Sequence, residues 1–246
     1  MNTDEKLSVI LKKGGQRDLA ESIAKKVGAS VLDAEADGIN IIVDGFGVSL
    51  SGYGLTYYGD FTRSLTRITE GRLLHEMLYR VSKTKDENPT AIDATAGMGE
   101  DSIILAAAGY NVTMFEKDPV VAALLKDALR RAKKHPVLGE IVARMTLIDG
   151  DSAELMPKRN PVDIIYLDPM FPERKKSGLI NKKLQLIQHL ERPCTDEKEL
   201  LSAAIAAHPK KIVIKRPQKG ENLAGVKPDF SIMGKAIRYD VIQPTT

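Results

Sequence analysis

Short apolar segments alternate with helical segments from residue 89 onward, and this alternation constrains the fold more than any other feature of the chain. The apolar segments are rich in the β-branched residues that buried strands favour. The segments between them carry helix composition and capping signals. Such alternation is typical of a parallel sheet covered by helices. The predicted strands cover residues 90–92, 111–116, 145–149, 163–167 and 211–215.

Two further β-prone segments, 230–233 and 236–242, follow the last of these strands. Gly234 and Lys235 lie between them and favour a turn, which predicts an antiparallel hairpin at the sheet edge. Five parallel strands with a C-terminal antiparallel hairpin predict an α/β fold whose sheet resembles the Rossmann-like sheet of class I methyltransferases. The helices of this fold are predicted over residues 70–82, 102–108, 119–134 and 196–208.

Residues 1–68 have a different pattern. A short amphipathic helix is predicted over 18–27, and β-prone segments follow it. Four glycines separate these segments at seven-residue intervals, as turns do: Gly38, Gly45, Gly52 and Gly59. We therefore predict a small N-terminal α+β domain over residues 1–68 and the sheet domain over residues 69–246.

Composition excludes several classes of protein. A chain of 246 residues fits one large domain, or one domain with a smaller appendage. The single cysteine, Cys194, excludes an internal disulfide framework, and the four histidines lack the spacing of a metal site. No segment has the length of a membrane span or the order of a signal peptide. We expect a cytoplasmic protein with no metal, no membrane contact and no obligate protein partner.

Charge is distributed unevenly along the chain. The net charge is +3, but residues 170–246 carry 15 basic and 8 acidic side chains. A basic segment beside neutral or acidic ones favours a polyanionic partner such as RNA, although a solvated lysine surface would give the same count. The candidate contacts to a phosphate backbone are Arg63, Arg67, Arg72, Arg174, Lys175, Lys176, Lys215 and Arg216, although the first three could instead contact a cofactor.

A glycine-containing loop follows the first parallel strand, over residues 93–101. Its glycines allow a ligand to approach the backbone closely. Asp93 would repel a pyrophosphate but suits a cationic ligand, and Ser102 replaces the third glycine of the dinucleotide motif. The loop therefore favours S-adenosylmethionine over a nicotinamide, while a merely structural turn remains an alternative. Its candidate cofactor-binding residues are Asp93, Ala96, Gly97, Gly99, Glu100 and Asp101.

Polar residues also stand at the carboxyl ends of the next two strands, where ligands bind in open parallel sheets. Glu116 lies nineteen residues after Gly97, the distance at which an acid commonly binds ribose hydroxyls. Asp151 and Ser152 follow the third strand and could hold an adenine ring. Helix capping is the alternative role for each of these residues.

The fourth strand ends in Asp168, Pro169, Met170 and Phe171, and these are the candidate catalytic residues. The sequence resembles the loop of methyltransferases that act on exocyclic amines of bases. Asp168 and the carbonyl of Pro169 could accept the hydrogens of such an amine, and Phe171 could stack on the base. Positioning would then supply most of the catalysis. A proline-rich turn with a core phenylalanine is the structural alternative.

Five segments carry a more specific signal: residues 93–99, 119–125, 166–172, 213–217 and 238–240. Together they resemble the RsmJ family of bacterial 16S ribosomal RNA (guanine-N2)-methyltransferases. The resemblance implies S-adenosylmethionine as cofactor and 16S ribosomal RNA, free or in the 30S subunit, as partner. It also implies cofactor contacts at Glu100, Asp101, Glu116, Lys117, Asp151, Ser152 and Asp168. Methylation of DNA or of a small-molecule amine, or an inactive RNA-binding module, remain alternatives.

Overall fold

The computed structural model describes residues 7–69, 71–169, 186 and 196–244. Its strands form two sheets, one of five strands near the N-terminus and one of seven strands built from the remainder. Within the described residues, no helix combines the length and apolar character needed to cross a membrane.

The first sheet is formed by β1 to β5 in the order β2-β1-β3-β4-β5. β1 pairs in parallel with β2 and β3, and β3, β4 and β5 are antiparallel. The helix α1 packs on β1, as its apolar face predicts. The sequence did not indicate β1 or β2. The bounds of these elements are β1 Leu7–Leu11, α1 Arg17–Val27, β2 Val31–Leu32, β3 Ile39–Val43, β4 Val48–Gly52 and β5 Leu55–Tyr57.

The segment between the sheets departs from the single helix predicted over residues 70–82. It contains a 3₁₀ turn at Phe61–Ser64, α2 at Leu65–Ile68, a second 3₁₀ turn at Leu73–His75 and α3 at Met77–Ser82. Glu76 interrupts the prediction, because its extended backbone (φ −67°, ψ 125°) separates the second turn from α3. That prediction was therefore wrong for its first half.

The second sheet has the order β11-β12-β10-β9-β6-β7-β8. Strands β6 to β10 are parallel, and β11 and β12 form the antiparallel hairpin at the edge, which confirms the predicted fold class. The strands are β6 Thr90–Asp93, β7 Asn111–Glu116, β8 Met145–Asp149, β9 Ile164–Leu167, β10 Lys211–Pro217, β11 Phe230–Met233 and β12 Ile237–Ile242. The helices are α4 Ser102–Ala107, α5 Pro119–Ala132, α6 Leu138–Val142, α7 Ser152–Leu155 and α8 Glu197–Ala206.

The helix α5 joins the two sheets. Asp118 caps it by accepting hydrogen bonds from the backbone N–H groups of Val120 and Val121, and Pro119 begins its first turn. Val121 packs in the core of the first sheet, whereas Leu125 packs in the core of the second. The apolar side chains of the connecting segment, Phe61 and Ile68, also lie in the second core.

A partly buried acid links the amino ends of two neighbouring strands. Asp163 accepts hydrogen bonds from the backbone N–H and hydroxyl of Thr90 at 2.7 and 2.9 Å, and it pairs with Lys210 at 2.7 Å. Burial alone would raise the pKa of Asp163, but the hydrogen bonds from Lys210 and Thr90 outweigh it and lower that pKa to about 2. The carboxylate therefore stabilises the fold whenever it is ionised.

Replacing Asp163 by asparagine should lower the free energy of unfolding at pH 7 by about 1–3 kcal/mol, because charged hydrogen bonds are lost. The lowered pKa sets the sign: this stability is present above the unfolded pKa near 3.8 and is lost as pH falls toward 2. Urea unfolding from pH 7 to pH 2.5 should show the difference from wild type shrinking below about pH 4. Asp86→Asn, which removes an exposed partner of Lys210, is the control. A difference that does not depend on pH would contradict this role.

Candidate active site

The parallel sheet has its topological switch point between β6 and β9, since the chain leaves β6 toward β7 and β8 and later crosses back to β9 and β10. Ligands of such sheets bind beyond the carboxyl ends of the strands at this point. β6 ends in Asp93, and Asp168 follows the end of β9. Two of the acids predicted to bind the ligand, Asp93 and Asp168, therefore stand at the ends of neighbouring strands.

Asp93 is buried at the base of the glycine loop. It accepts hydrogen bonds from the Ser102 hydroxyl at 2.5 Å and from the backbone N–H of Thr95 at 3.1 Å. Burial raises the pKa of Asp93 to about 7, and these hydrogen bonds oppose the rise. Ser102, which replaces the third glycine of the dinucleotide motif, thus holds the acid in place.

Two residues at positive φ shape the glycine loop, Gly97 (φ 51°) and Gly99 (φ 76°). The backbone N–H of Gly97 donates to Glu116 at 2.9 Å, and the other carboxylate oxygen of Glu116 accepts from the backbone N–H of Asp118 at 2.8 Å. Burial raises the pKa of Glu116. A carboxylate has about four acceptor positions, so Glu116 can hold the loop and still accept a ribose hydroxyl.

Gly99 should not tolerate a side chain. A Cβ there would stand 3.0 Å from Leu125 and from Phe61, and φ of 76° is unfavourable for other residues. Gly99→Ala should therefore lower the free energy of unfolding by about 1–3 kcal/mol and weaken binding of S-adenosylhomocysteine. Thermal unfolding and calorimetric titration measure the two effects. Gly28→Ala is the control, because φ is 67° there but nothing lies within 4 Å; an equal loss in both variants would show that crowding at Gly99 has no effect.

An ion-paired cluster connects the glycine loop to the end of β9. Lys215 on β10 lies 2.8 Å from Asp168 and 2.7 Å from Asp101. Asp101 also accepts a hydrogen bond from the Tyr166 hydroxyl at 2.6 Å. The backbone N–H of Asp168 donates to the hydroxyl of Thr95 at 2.7 Å, which joins the two loops a second time.

A cleft of about 840 Å³ opens over this cluster. Its volume is in the range of about 300–1,000 Å³ that small-molecule sites occupy. One wall comes from the segment between the two sheets. Six of the predicted cofactor-binding residues line the cleft: Asp93, Ala96, Gly97, Glu100, Asp101 and Asp168.

The other predicted cofactor-binding residues are not among the described residues that line the cleft. Gly99 is buried behind the loop, and Lys117 is exposed after β7. Asp151 caps α7 by accepting from the backbone N–H of Ala153 at 2.9 Å, and Ser152 is buried at the start of that helix. Glu116 is also not among the described residues that line the cleft, so its ribose-binding role stays a prediction, as does the adenine-binding role of Asp151 and Ser152.

Three basic side chains from the segment between the sheets line part of the cleft: Arg63, Arg67 and Arg72. Arg67 donates two parallel hydrogen bonds to Glu76, at 2.9 and 3.0 Å, and this pairing raises the pKa of Arg67. Arg63 and Arg72 are exposed, which suits contact with phosphate groups.

Two members of the predicted RNA-binding set lie elsewhere than expected. The Arg216 side chain is only 4% exposed and donates to Glu197 at 3.1 Å and to the carbonyl of Glu221 at 2.7 Å, so its place is inside the fold. Lys215 points into the acidic cluster and not to the outer surface.

Of the predicted catalytic residues that follow Asp168, Pro169 is described and is buried. Five predicted residues lie outside the described part of the chain: Met170, Phe171, Arg174, Lys175 and Lys176.

Several cleft residues were not predicted from sequence, among them Thr95, Glu76, Tyr166 and Tyr239. Tyr166 could have been found, because it stands two residues before Asp168 and therefore on the same side of its strand. Within the described residues, no group of three or more His, Cys, Asp or Glu side chains could hold a metal ion.

The cleft suits a cationic cofactor. Asp93, Asp101 and Asp168 bring three carboxyl groups to it, and the Lys215 ammonium is paired with two of them. A ligand with a sulfonium and an ammonium complements this surplus of acids, whereas a pyrophosphate would be repelled.

Comparison with known proteins agrees with this chemistry. A family model described as a SAM-dependent methyltransferase matches residues 57–244. A crystal structure of a SAM-dependent methyltransferase from Neisseria gonorrhoeae is 31% identical, covers 96% of each chain and has a TM-score of 0.76. The fold and the site thus define a class I methyltransferase that depends on S-adenosylmethionine.

Individual relatives show which family of methyltransferases the chain belongs to. A protein of Thioalkalivibrio sulfidiphilus named ribosomal RNA small subunit methyltransferase J is 36% identical over 97% of this chain and 98% of its own length. One of the same name from Hydrogenovibrio crunogenus is 45% identical over 63% of this chain and 58% of its own length. The chain belongs to the ribosomal RNA small subunit methyltransferase J family.

Proposed function

We propose that the protein transfers a methyl group from S-adenosylmethionine to the exocyclic N2 amine of a guanosine in 16S ribosomal RNA. The observation that carries the proposal is the position of Asp168, whose carboxylate lines the cleft beside the glycine loop and is held by Lys215 at 2.8 Å. An acceptor fixed at this place suits an amine that must be oriented before it can react.

The name of the relatives supports small-subunit RNA as the substrate. The wall of the cleft supports it independently, because Arg63 and Arg72 offer exposed guanidinium groups to a phosphate backbone. A ribosomal substrate places the reaction in the cytoplasm. Met170, Phe171 and the basic residues 174–176 belong to the proposal on sequence grounds alone.

The chemistry follows from the properties of an aromatic amine. S-adenosylmethionine supplies an electrophilic methyl group when bound. Asp168 accepts an N–H of the amine and so directs the nitrogen lone pair out of the base plane. Burial raises the pKa of Asp168, and the Lys215 ammonium opposes the rise. The Lys215 ammonium, 2.8 Å away, favours the ionised form, in which Asp168 can accept the proton that the nitrogen loses after methylation.

The test is incubation of the protein with labelled S-adenosylmethionine and 16S RNA, naked or assembled in 30S particles, from a strain that lacks the gene. Nuclease digestion should yield labelled N2-methylguanosine from one of these substrates. The controls are 50S particles and duplex DNA, which should stay unlabelled. Label at another nucleoside would contradict the N2 assignment, and label only in DNA or in small molecules would contradict the ribosomal substrate.

A further inference from the structure

Lys215 is set beside Asp168 by strand register. β10 pairs in parallel with β9, and Ile214 on β10 lies opposite Leu167, the last residue of β9. The next residue along β10 is Lys215, and the next residue after β9 is Asp168, so the two are neighbours. The sheet therefore brings an ammonium to the end of the strand that carries the acceptor loop. The distance between Lys215 Nζ and Asp168 Oδ2 is 2.8 Å, and the Lys215 side chain is 26% exposed.

The same ammonium is held from its other side. Asp101 Oδ2 lies 2.7 Å from Lys215 Nζ and also accepts a hydrogen bond from the Tyr166 hydroxyl. Burial alone would lower the pKa of Lys215, but the carboxylates of Asp101 and Asp168 raise it above its usual range. Lys215 is thus a permanent cation between two acids, and two of its three N–H donors are committed to them.

This geometry differs from that of a phosphate contact. A lysine that binds an RNA backbone directs its ammonium outward as an exposed charge. Lys215 instead bridges the residue that precedes α4, at the end of the glycine loop, and the residue that follows β9. It connects the loop that would hold the cofactor to the loop that would hold the target amine.

We propose that Lys215 is a positioning residue for methyl transfer, which keeps the Asp168 carboxylate ionised and oriented and joins it to the cofactor loop through Asp101. The proposal deepens the proposed function and rests on it. Asp168 remains the group that contacts the substrate, and Lys215 acts through Asp168.

Electrostatics make the proposal measurable. Three ionisable side chains face Asp168: Lys215 on β10, Asp101 just before α4, and Asp93 at the end of β6. Tyr166 on β9 and Tyr239 on β12 also face it, and both are neutral, since burial raises the pKa of each above its usual value. Arg216, on β10, adds a weaker positive influence.

Lys215 is the strongest influence that lowers the pKa of Asp168; without it, burial and the neighbouring Asp101 would raise that pKa against the weaker effect of Arg216. The pKa of Asp168 should then rise by about one to three units, the usual effect of a close opposite charge. A raised pKa means that Asp168 stays protonated to higher pH. Since a protonated acid is a poorer acceptor, methyl transfer should be lost at a pH where wild type is still active, and should recover as pH rises.

The experiment compares Lys215→Met, Lys215→Arg and the control Lys211→Met. Lys211 is on the same strand, but its ammonium donates to the carbonyls of Val81 and Lys83 at the opposite end. The first readout is a carbon-13 NMR titration of aspartate carboxyl groups in the protein without cofactor, with Asp168→Asn to assign the signal. The second is the pH profile of kcat together with the Kd of S-adenosylhomocysteine.

We expect K215M to raise the Asp168 midpoint by at least about one pH unit and to shift the acid limb of kcat by a similar amount. At pH 7 kcat should fall about 10- to 100-fold, with a smaller change in Kd. K215R should restore most of the midpoint, and K211M should leave midpoint and profile unchanged. Lys215→Gln gives the same test if the methionine variant does not fold.

Three results would overturn the inference. One is an unchanged Asp168 midpoint in K215M. Another is tighter binding of S-adenosylhomocysteine by K215M together with equal or faster methyl transfer, which would show that Lys215 only occupies the place that a bound cation would take. The third is that K215M loses only the salt-dependent part of its affinity for RNA, which would mean that Lys215 contacts an RNA phosphate. Failure of the wild type to methylate any RNA would instead refute the proposed function, and the NMR midpoint would still decide whether Lys215 controls Asp168.

Discussion

Replacing Asp168 by asparagine or alanine should lower kcat for methyl transfer at least about 100-fold, the usual scale for losing a group that acts in the transition state. Asparagine keeps the size of the side chain but loses its charge, so the target amine loses its strongest acceptor. The backbone should be unaffected, because the N–H of Asp168 donates to Thr95 and the variant keeps that bond.

The measurement is single-turnover transfer of labelled methyl groups to 16S RNA or 30S particles, with RNA and cofactor in excess of their binding constants. Circular dichroism and thermal unfolding establish that the fold is intact. Glu140→Gln is the control: it also removes a carboxylate, but from an exposed side chain on α6 that does not line the cleft. A kcat for Asp168→Asn within about threefold of wild type would remove the acceptor role, because a lost charged contact is worth far more than that.

Much of the second sheet could be predicted because its strands carry a local signal. β6, β7 and β8 are short apolar segments that end in an acid, and an acid follows β9; parallel strands place those ends at one edge. Asp93 and Asp168 were identified in this way, and the structure brings both to the cleft. The hairpin of β11 and β12 was equally local, since Gly234 marks its turn.

The helix predicted over residues 70–82 shows where such signals mislead. Leu73, Leu74 and Met77 fit a helical period, yet Leu74 is 55% exposed, so the pattern did not belong to one buried face. Glu76 adopts an extended conformation, and its carboxylate is bound by Arg67 from α2. A tertiary contact of this kind is absent from any local window. β1 was missed for a related reason, because five apolar-rich residues suit a strand and a buried helical turn equally.

The role of Lys215 could not be predicted because it depends on strand order. Chain order places β10 after α8 and far from the glycine loop, whereas the sheet places β10 next to β9. Without that adjacency, basic residues after an apolar strand are most simply assigned to the surface. Arg216 was assigned there for the same reason, although its guanidinium is buried.

Arg238 should be among the residues whose loss most destabilises the protein. Its guanidinium donates to both carboxylate oxygens of Asp240, at 2.8 and 3.0 Å, and to Asn222 at 3.0 Å. It also donates to the carbonyls of Pro217, Gln218 and Gly220 at 2.8–3.0 Å. The side chains of Arg238 and Asp240 are 9% and 2% exposed, so water cannot replace these bonds.

Arg238→Met should therefore lower the free energy of unfolding by about 3–5 kcal/mol, because it leaves a buried carboxylate without its counter-ion. For a chain of this size the melting temperature should fall by on the order of 10 °C. Arg159→Met, at an exposed arginine, should change stability by less than about 0.5 kcal/mol. Urea unfolding at pH 7 measures both.

A double-mutant cycle distinguishes loss of the ion pair from loss of packing. Asp240→Asn should destabilise the wild type strongly but add little to Arg238→Met, since the second change removes the charge that the first left unpaired. Additive losses would show that the pair contributes nothing of its own.

Loss of Arg238 should also affect methyl transfer, because Arg238 holds the loop after β10, the strand that carries Lys215 to Asp168. A variant that still folds should thus lose methyl transfer at temperatures below its melting transition, and wild-type activity there would show that this loop does not position Lys215.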